Sequence, residues 1–185
     1  MIEDALLEAE EKMEKAIEVA QNDFSNIRSG RANAGMFNSI LVDYYGAPTP
    51  LQQLATVAIP EARTVTISPY DRSAITAIDR ALRESDLGVN PTDDGQFLRI
   101  NLPPLTEERR RDYVKLARTK AEDARITIRS IRRKAKEELD RIKKDGEAGE
   151  DEVDRAEKAL ESLTKRHTDL VDQILEAKEK DLLEV

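Results

Sequence analysis

The sequence predicts an α+β protein of two domains, in which a small α/β domain is inserted into a long antiparallel three-helix bundle. Three segments carry apolar residues in alternating steps of three and four, as the buried stripe of a coiled coil does. Between the first two of them the helical period is absent, and all seven prolines of the chain occur there. Helices with one apolar stripe each pack together, so we expect residues 1–30 and 105–185 to form the bundle and residues 31–104 the inserted domain.

The first helix is predicted to begin at Ile2. Its apolar stripe contains Leu6, Ala9, Met13, Ala16, Ala20, Phe24 and Ile27. Glycine commonly ends a helix, which places the stop at Ser29 and Gly30. Arg28 and Arg31 flank this stop, where they either compensate the free carbonyls of the helix end or contact a ligand.

The inserted domain is predicted to combine short strands with one helix. The runs that we interpret as strands are Ser39–Tyr45, Leu54–Ile59, Arg63–Ser68 and Gln96–Leu102, with a turn at Gly46–Pro50 and a helix over Asp71–Leu87. Two linkers, near residues 31–34 and 102–104, connect this domain to the bundle and contain Arg31, Ala32, Asn33, Ala34, Pro103 and Pro104. Two short parallel linkers form a hinge, so we expect the domain to swing in a restricted direction.

The second and third helices are the longest predicted elements. The second runs from Leu105 to Asp145 without an internal Gly or Pro and is about 60 Å long. Its apolar stripe contains Val114, Ala117, Ala121, Ala124, Ile128, Ile131, Ala135, Leu139 and Ile142. The third helix starts at Glu150, after a turn with two glycines, and returns antiparallel to the second. Its stripe contains Val153, Ala156, Leu160, Leu163, His167, Leu170, Ile174 and Ala177.

A cationic stripe accompanies the apolar stripe of the second helix, one residue further round. It contains Lys115, Arg118, Glu122, Arg125, Arg129, Arg132 and Lys136. The whole chain has a net charge of −8, yet residues 105–145 hold fifteen Lys and Arg against nine Asp and Glu. Pairing of these cations with Glu at helical spacing is one interpretation, but a single acid in the stripe favours binding of phosphate.

The expected ligand is a large RNA. Arg129, Arg132 and Arg133 stand close together on a stiff helix, and guanidinium groups hold phosphate oxygens two at a time. The sequence contains no evident recognition helix of a compact DNA-binding unit, so we expect recognition of RNA shape and backbone and no DNA partner. Tyr44 and Tyr45, at the end of a strand, either stack on a base or are half-buried domain residues.

Enzymatic chemistry is not predicted. The chain has no cysteine, and it contains no glycine-rich nucleotide loop, nucleophile elbow or His-Glu metal pair. The only histidine, His167, falls in the apolar stripe of the third helix, so we expect neither a metal nor a cofactor. Two other hypotheses remain open, namely a helical module that binds another helical protein and a hydrolytic enzyme that depends on His167.

The N-terminal residues bear on the expected compartment. They are acidic and amphipathic, unlike a signal or transit peptide, and no apolar run in the chain approaches membrane-spanning length. We therefore expect a cytoplasmic protein without a membrane partner.

Several phrases of the sequence resemble the bacterial ribosome recycling factor family. They are NIRSGRAN at residues 26–33, VDYYGAPTPLQQLA at 42–55, SDLGVNP at 85–91, LPPLTEERRRDYVKLAR at 102–118 and IRSIRRKA at 128–135. The similarity extends in order over the whole chain. It implies an L-shaped molecule, in which a long three-helix bundle is joined by a hinge to a small α/β domain.

The resemblance also implies a function. Family members bind the post-termination ribosome across the transfer-RNA sites of the large subunit and, with elongation factor G and its GTP hydrolysis, split the ribosome and free the messenger RNA. The RNA-facing arginines of the family map onto Arg110, Arg129, Arg132 and Arg133, with Arg28 and Arg31 near the hinge, and Arg125 lies in the same stripe. The elongation factor pushes the small domain, which makes Tyr44, Tyr45 and the Gly46–Pro50 turn candidates for that contact. We expect a monomer.

Overall fold

A computed structural model describes residues 1–184 of the protein and divides them into two compact units. The helical unit contains Met1–Phe24 and Lys115–Glu179. The mixed unit contains Ser25–Val114 and the residues from Lys180 onward. The predicted α+β class is confirmed, because long helices make up the first unit and sheets with short helices make up most of the second.

Three long helices supply the helical unit: α1 (Ile2–Ser25), α4 (Glu107–Lys144) and α5 (Glu150–Leu183). Ion pairs join Arg118 to Glu179, Arg125 to Asp172 and Arg132 to Glu161. The residue numbers of these arginines rise along α4 while those of their acidic partners fall along α5, so the two helices are antiparallel. Grooves lined by residues 1–12 with 126–138, and by 16–23 with 120–127, show that α1 also runs antiparallel to α4. The predicted three-helix bundle is confirmed.

The core of the bundle is rich in small side chains. Its buried residues include Ala9, Met13, Ala16, Ala20 and Phe24 of α1, Ala117, Ala121, Ile128, Leu139 and Ile142 of α4, and Val153, Ala156, Leu160, His167 and Val171 of α5. The predicted stripe of α5 is wrong beyond His167, because Val171 is fully buried whereas Leu170 is 36% exposed. Strict alternation of three and four averages 3.5 residues per turn, whereas an α-helix has 3.6, so the predicted stripe drifts around the helix. The step from His167 to Val171 is a second consecutive step of four residues, and it restores the buried face.

The ends of the helices differ in how well the sequence locates them. α4 ends in a Schellman motif, where the N–H of Gly146 donates to the carbonyl of Lys143 and that of Glu147 to Ile142, and Gly146 has a φ of +68°. By contrast, α1 ends at Ser25, before the predicted stop at Gly30. The residues that follow Ser25 make tertiary contacts instead of helical ones, as Arg28 does by donating a hydrogen bond to the carbonyl of Pro103.

The mixed unit contains two antiparallel sheets. A hairpin consists of β1 (Leu41–Tyr44) and β2 (Ala47–Pro50), and a four-stranded sheet has the order β3 (Ala55–Glu61), β4 (Thr64–Pro69), β6 (Leu98–Asn101) and β5 (Thr92–Asp93). The shorter helices are α2 (Leu51–Leu54) and α3 (Ile75–Glu84), with 3₁₀ turns at Ala34–Phe37 and Arg72–Ala74. The predicted strands and helix are present with altered bounds. Strands β1 and β6 and helix α3 are shorter than predicted, whereas β3 and β4 begin one residue later than predicted and extend to Glu61 and Pro69. Strands β2 and β5 and helix α2 were not predicted.

The predicted turn at Gly46–Pro50 is wrong, because most of it is strand β2. The turn is only Tyr45 and Gly46, with φ values of +51° and +80°. Two left-handed residues make the tight hairpin connection that matches the twist of the flanking strands. Pro48 and Pro50 pair with Asp43 and Leu41 in a sheet of only two strands, where each strand is an edge and tolerates proline.

One apolar core holds the mixed unit together. Its largest fully buried side chains are Met36, Phe37, Leu51, Ile67, Ile78, Leu82, Leu98 and Ile100. The Asp71 carboxylate caps the turn before α3 by accepting from the N–H of Ser73.

The predicted linkers at residues 31–34 and 102–104 both lie in the mixed unit. The N–H of Ala32 donates to the carbonyl of Ala62, and the N–H of Leu102 donates to the carbonyl of Arg63, each at 2.7 Å. Both linkers are therefore hydrogen-bonded to the turn between β3 and β4.

Candidate nucleic-acid interface

The arginine row of α4, formed by Arg118, Arg125, Arg129 and Arg132, lies along one side of the bundle. Each of the four guanidinium groups has a carboxylate within 4.0 Å. The distances are 2.6 Å from Arg118 Nε to Glu179, 2.6 Å from Arg125 Nη2 to Asp172, 3.3 Å from Arg129 Nη1 to Glu122 and 3.7 Å from Arg132 Nη1 to Glu161. The row is therefore partly neutralised, mainly by residues of α5.

Arg125 is the most restrained member of the row. Its Nε and Nη2 both donate to Oδ1 of Asp172, at 2.9 and 2.6 Å, and its Nη1 donates to Glu122 at 3.2 Å. Its side chain is 20% exposed. Burial disfavours the charged guanidinium, but Asp172 and Glu122 more than offset this effect and hold the pKa of Arg125 above its usual value. Arg125 therefore ties α4 to α5.

Arg129, Arg132 and Arg133 are more available than Arg125. Arg129 is half exposed. Among residues 1–184, the one ion-pair contact of Arg132 is that to Glu161, and its distance of 3.7 Å is too long for a hydrogen bond. Arg133 is exposed and has no ion pair with any residue in the described part of the chain. These side chains can accept phosphate without first losing a buried partner.

Arg28 is a buried residue of the mixed unit. It is 8% exposed, its Nη2 donates to the carbonyl of Pro103, and its Nε has no hydrogen-bond partner among residues 1–184. Burial lowers the pKa of Arg28, and Arg109 and Arg63 add to this effect while Tyr113 opposes it. The structure therefore places Arg28 beneath the surface, where it braces the segment at Pro103.

A cavity of about 340 Å³ in the mixed unit brings Arg31 and Arg110 together. Its lining consists of Gly30, Arg31, Ala62, Arg63, Pro104, Leu105, Arg110, Asp181 and Glu184. The Nε of Arg110 is buried and unpartnered within the residues that the structure describes. Arg63, which was predicted only as the first residue of a strand, is a third cation in this lining. Among the described lining residues, three cations stand against two carboxylates, and this excess of positive charge favours an anionic group.

The two tyrosines of the hairpin differ sharply in environment. The hydroxyl of Tyr44 donates to Oδ2 of Asp71 at 2.9 Å, and this bond raises the pKa of Tyr44. The ring of Tyr45 meets that of Tyr44 edge-on, with 4.6 Å between the centroids, but is 81% exposed. Tyr45 therefore presents an exposed aromatic surface at the tip of the hairpin.

His167 and the acidic side chains are the residues that could carry enzymatic or metal chemistry. The His167 ring is buried, and its Nδ1 lies 2.8 Å from the carbonyl oxygen of Leu163. In residues 1–184, no three His, Cys, Asp or Glu side chains are grouped so that they could hold a metal ion. None of the helices in that range is long and apolar enough to cross a membrane.

Comparison with known proteins gives matches over the full length. The ribosome recycling factor family matches residues 20–183. The ribosome-recycling factor of Kineococcus radiotolerans is 69% identical over 185 residues, and that of Beutenbergia cavernae is 66% identical, with 100% of this chain and of each relative covered.

Solved structures match as well. A solution structure of the ribosome recycling factor aligns with a TM-score of 0.80 and 40% identity, covering 100% of this chain and 98% of that one. A structure of the T. thermophilus ribosome recycling factor and the E. coli elongation factor G bound to the E. coli post-termination complex aligns with a TM-score of 0.70 and 41% identity, with both chains fully covered.

Proposed function

The chain belongs to the ribosome recycling factor family, and on this premise we propose that it binds the post-termination ribosome and, with elongation factor G and GTP, separates the ribosomal subunits. Factors of this family act in protein synthesis and are not enzymes, which agrees with the buried position of the only histidine. Release of the messenger RNA follows from separation of the subunits. We place this activity in the cytoplasm, where the protein acts as a monomer.

The observation that carries the proposal is the full-length match to a recycling factor described together with elongation factor G on a post-termination complex. That neighbour is 41% identical to this chain and is covered completely. A match of this extent includes both units, so it supports a shared mode of action better than a match to the bundle alone.

The arginines of α4 are the proposed contacts with ribosomal RNA. Arg129, Arg132 and Arg133 lie within five residues on one helix, and their restraints in the free protein are weak or absent. Guanidinium groups bind phosphate through paired N–H donors, and phosphate contacts dominate affinity for nucleic acid. Arg125 lies in the same row with a structural role, as the anchor of α4 to α5.

The mixed unit supplies the remaining proposed contacts. Arg31 and Arg110 line its arginine-rich cavity, and Arg28 positions the chain beneath it. Tyr45 is the proposed contact for elongation factor G, with Tyr44 holding its ring. Residues 31–34 and 102–104 remain the predicted hinge, through which force on the small domain reaches RNA that bridges the subunits.

A competition experiment separates this proposal from that of a helical protein-interaction module. Ribosomes are sedimented with the protein at increasing salt and in the presence of free ribosomal RNA. We expect binding to fall steeply with salt and to be reduced by the free RNA, because counterions are released from phosphate on binding. Binding that resists both treatments would favour the protein-interaction module.

A further inference from the structure

The ion pairs between α4 and α5 follow a repeat of seven residues. Arg118, Arg125 and Arg132 are each seven apart, so they lie on one face with about 10 Å between neighbours. On α5, Glu179 and Asp172 are also seven apart and pair with the first two arginines. Because the helices are antiparallel, the next partner in the series falls at position 165.

The series of carboxylates is broken at that position by a lysine. Lys165 carries the same charge as Arg132, and its Nζ is bound by Asp169 on its own helix at 2.7 Å. Arg132 instead reaches Glu161, one helical turn further along α5, at 3.7 Å. The side chain of Glu161 is 72% exposed, so this acid restrains Arg132 only loosely.

We propose that carboxylates of α5 compete with RNA phosphate for the arginine row. Lys165 stands where a third carboxylate would continue the series, and it therefore leaves Arg132 more available for phosphate than Arg118 and Arg125. This inference rests on the proposed function, because it assigns α4 as the RNA-binding helix. Asp172 and Glu179 act as internal competitors that occupy Arg125 and Arg118.

The competition has a consequence for selectivity. Carboxylate and phosphate oxygens compete for the five N–H donors of a guanidinium, so a paired carboxylate reduces the number of donors and the positive charge that remain for phosphate. Exposed ion pairs are weak, so any RNA can displace the single carboxylate that contacts Arg132. Displacement along the whole row requires several phosphates held at the spacing of the arginines, which a folded RNA provides and a flexible strand does not. Internal competition therefore reduces binding to unstructured RNA.

The sharpest test supplies the missing carboxylate. Lys165→Glu is compared with Lys15→Glu, which makes the same charge change at an exposed site of α1. Binding of fluorescently labelled poly(U) is measured by anisotropy at low salt. We expect Lys165→Glu to weaken binding about two- to fivefold more than Lys15→Glu, since Arg132 gains a partner. Equal effects of the two variants overturn the proposal.

A second variant removes a competitor. Asp172→Asn is compared with Asp151→Asn, an exposed position at the start of α5, and circular dichroism confirms that each variant is folded. We expect Asp172→Asn to strengthen poly(U) binding about two- to fivefold more than the control. Unchanged or weaker binding by a folded Asp172→Asn variant overturns the proposal.

The readouts distinguish failure of this inference from failure of the proposed function. If both variants follow their controls in poly(U) binding while the wild-type protein still splits ribosomes, the competition is refuted and the function stands. If the variants shift poly(U) binding as expected but the wild-type protein does not split ribosomes, the competition stands and the function is refuted.

Discussion

The hydroxyl of Tyr44 donates a hydrogen bond of 2.9 Å to Oδ2 of Asp71, while Oδ1 of the same carboxylate accepts from the N–H of Ser73 at 3.0 Å. The carboxylate thus joins the β1–β2 hairpin to the turn that precedes α3. Bonds from Ser73 and then from Tyr44 hold the pKa of Asp71 below its ordinary value.

This depressed pKa predicts a dependence of stability on pH. Asp71 stabilises the folded state above its unfolded pKa of about 3.9, and this contribution is lost as the pH falls through the lower pKa of the folded state. We expect wild type to be more stable than Asp71→Asn near neutral pH, with a difference that shrinks in acid. Urea unfolding at several pH values measures it, and a difference that grows in acid contradicts the assignment.

Truncation of Arg132 is predicted mainly to weaken ribosome binding, whereas truncation of Arg125 is predicted to lower the free energy of unfolding. Arg132→Ala removes one loose ion pair, so we expect a stability change of about 0–1 kcal/mol, weaker ribosome binding and a salt slope reduced by about one. Arg125→Ala breaks three hydrogen bonds to two carboxylates and should cost about 1–2 kcal/mol of unfolding free energy. Thermal unfolding and sedimentation at varied salt measure both effects. A drop of several degrees for Arg132→Ala would show that its side chain is structural.

The left-handed backbone of Tyr45 is predicted to lower the free energy of unfolding, while its exposed ring contributes to the proposed function. A left-handed backbone costs a non-glycine residue about 1–2 kcal/mol, and Asn followed by Gly is the preferred pair in this turn. We expect Tyr45→Asn to leave the unfolding free energy unchanged or raise it by up to about 1 kcal/mol, while slowing ribosome splitting by elongation factor G. A variant with unchanged splitting removes Tyr45 from the proposed contact.

Gly35 is predicted to be required for close packing. A Cβ at this position would lie 2.8 Å from Cβ of Ser25 and 2.9 Å from Oδ1 of Asn33. By contrast, a Cβ at Gly149 would meet no atom of residues 1–184 within 4 Å. We expect Gly35→Ala to cost about 1–3 kcal/mol of unfolding free energy and Gly149→Ala to change it by less than about 1 kcal/mol. Chemical denaturation of the two variants compares them, and equal values would mean that the chain near Ser25 shifts without cost.

The elements predicted best from the sequence are those whose structure depends on residues close together in the chain. The bounds of α4 were predicted within two residues, because no Gly or Pro interrupts the run and a glycine in the left-handed conformation ends it. The hairpin was missed because Pro48 and Pro50 indicate a turn unless the strand is known to be an edge. Tertiary structure alone decides whether a strand lies at an edge.

Sequence patterns do not predict contacts between segments that are far apart in the chain. The stripe on α4 was predicted to carry a single acid, yet Asp172 and Glu179 of α5 lie against it. The position of these acids depends on the register of two antiparallel helices, and the stripe of α5 itself was predicted wrongly after His167. Similarly, Arg63 reaches the arginine-rich cavity only because its strands fold back beside both predicted linkers.

The proposed function is tested most directly by the separation of purified post-termination ribosomes into subunits, followed by light scattering. The reaction contains the protein, elongation factor G and GTP, and it is repeated without each component and with Arg132→Ala. We expect rapid loss of scattering only when all three components are present, and a slower loss with the variant. Scattering that stays constant in the complete reaction, or falls equally without the protein, would refute the proposed function.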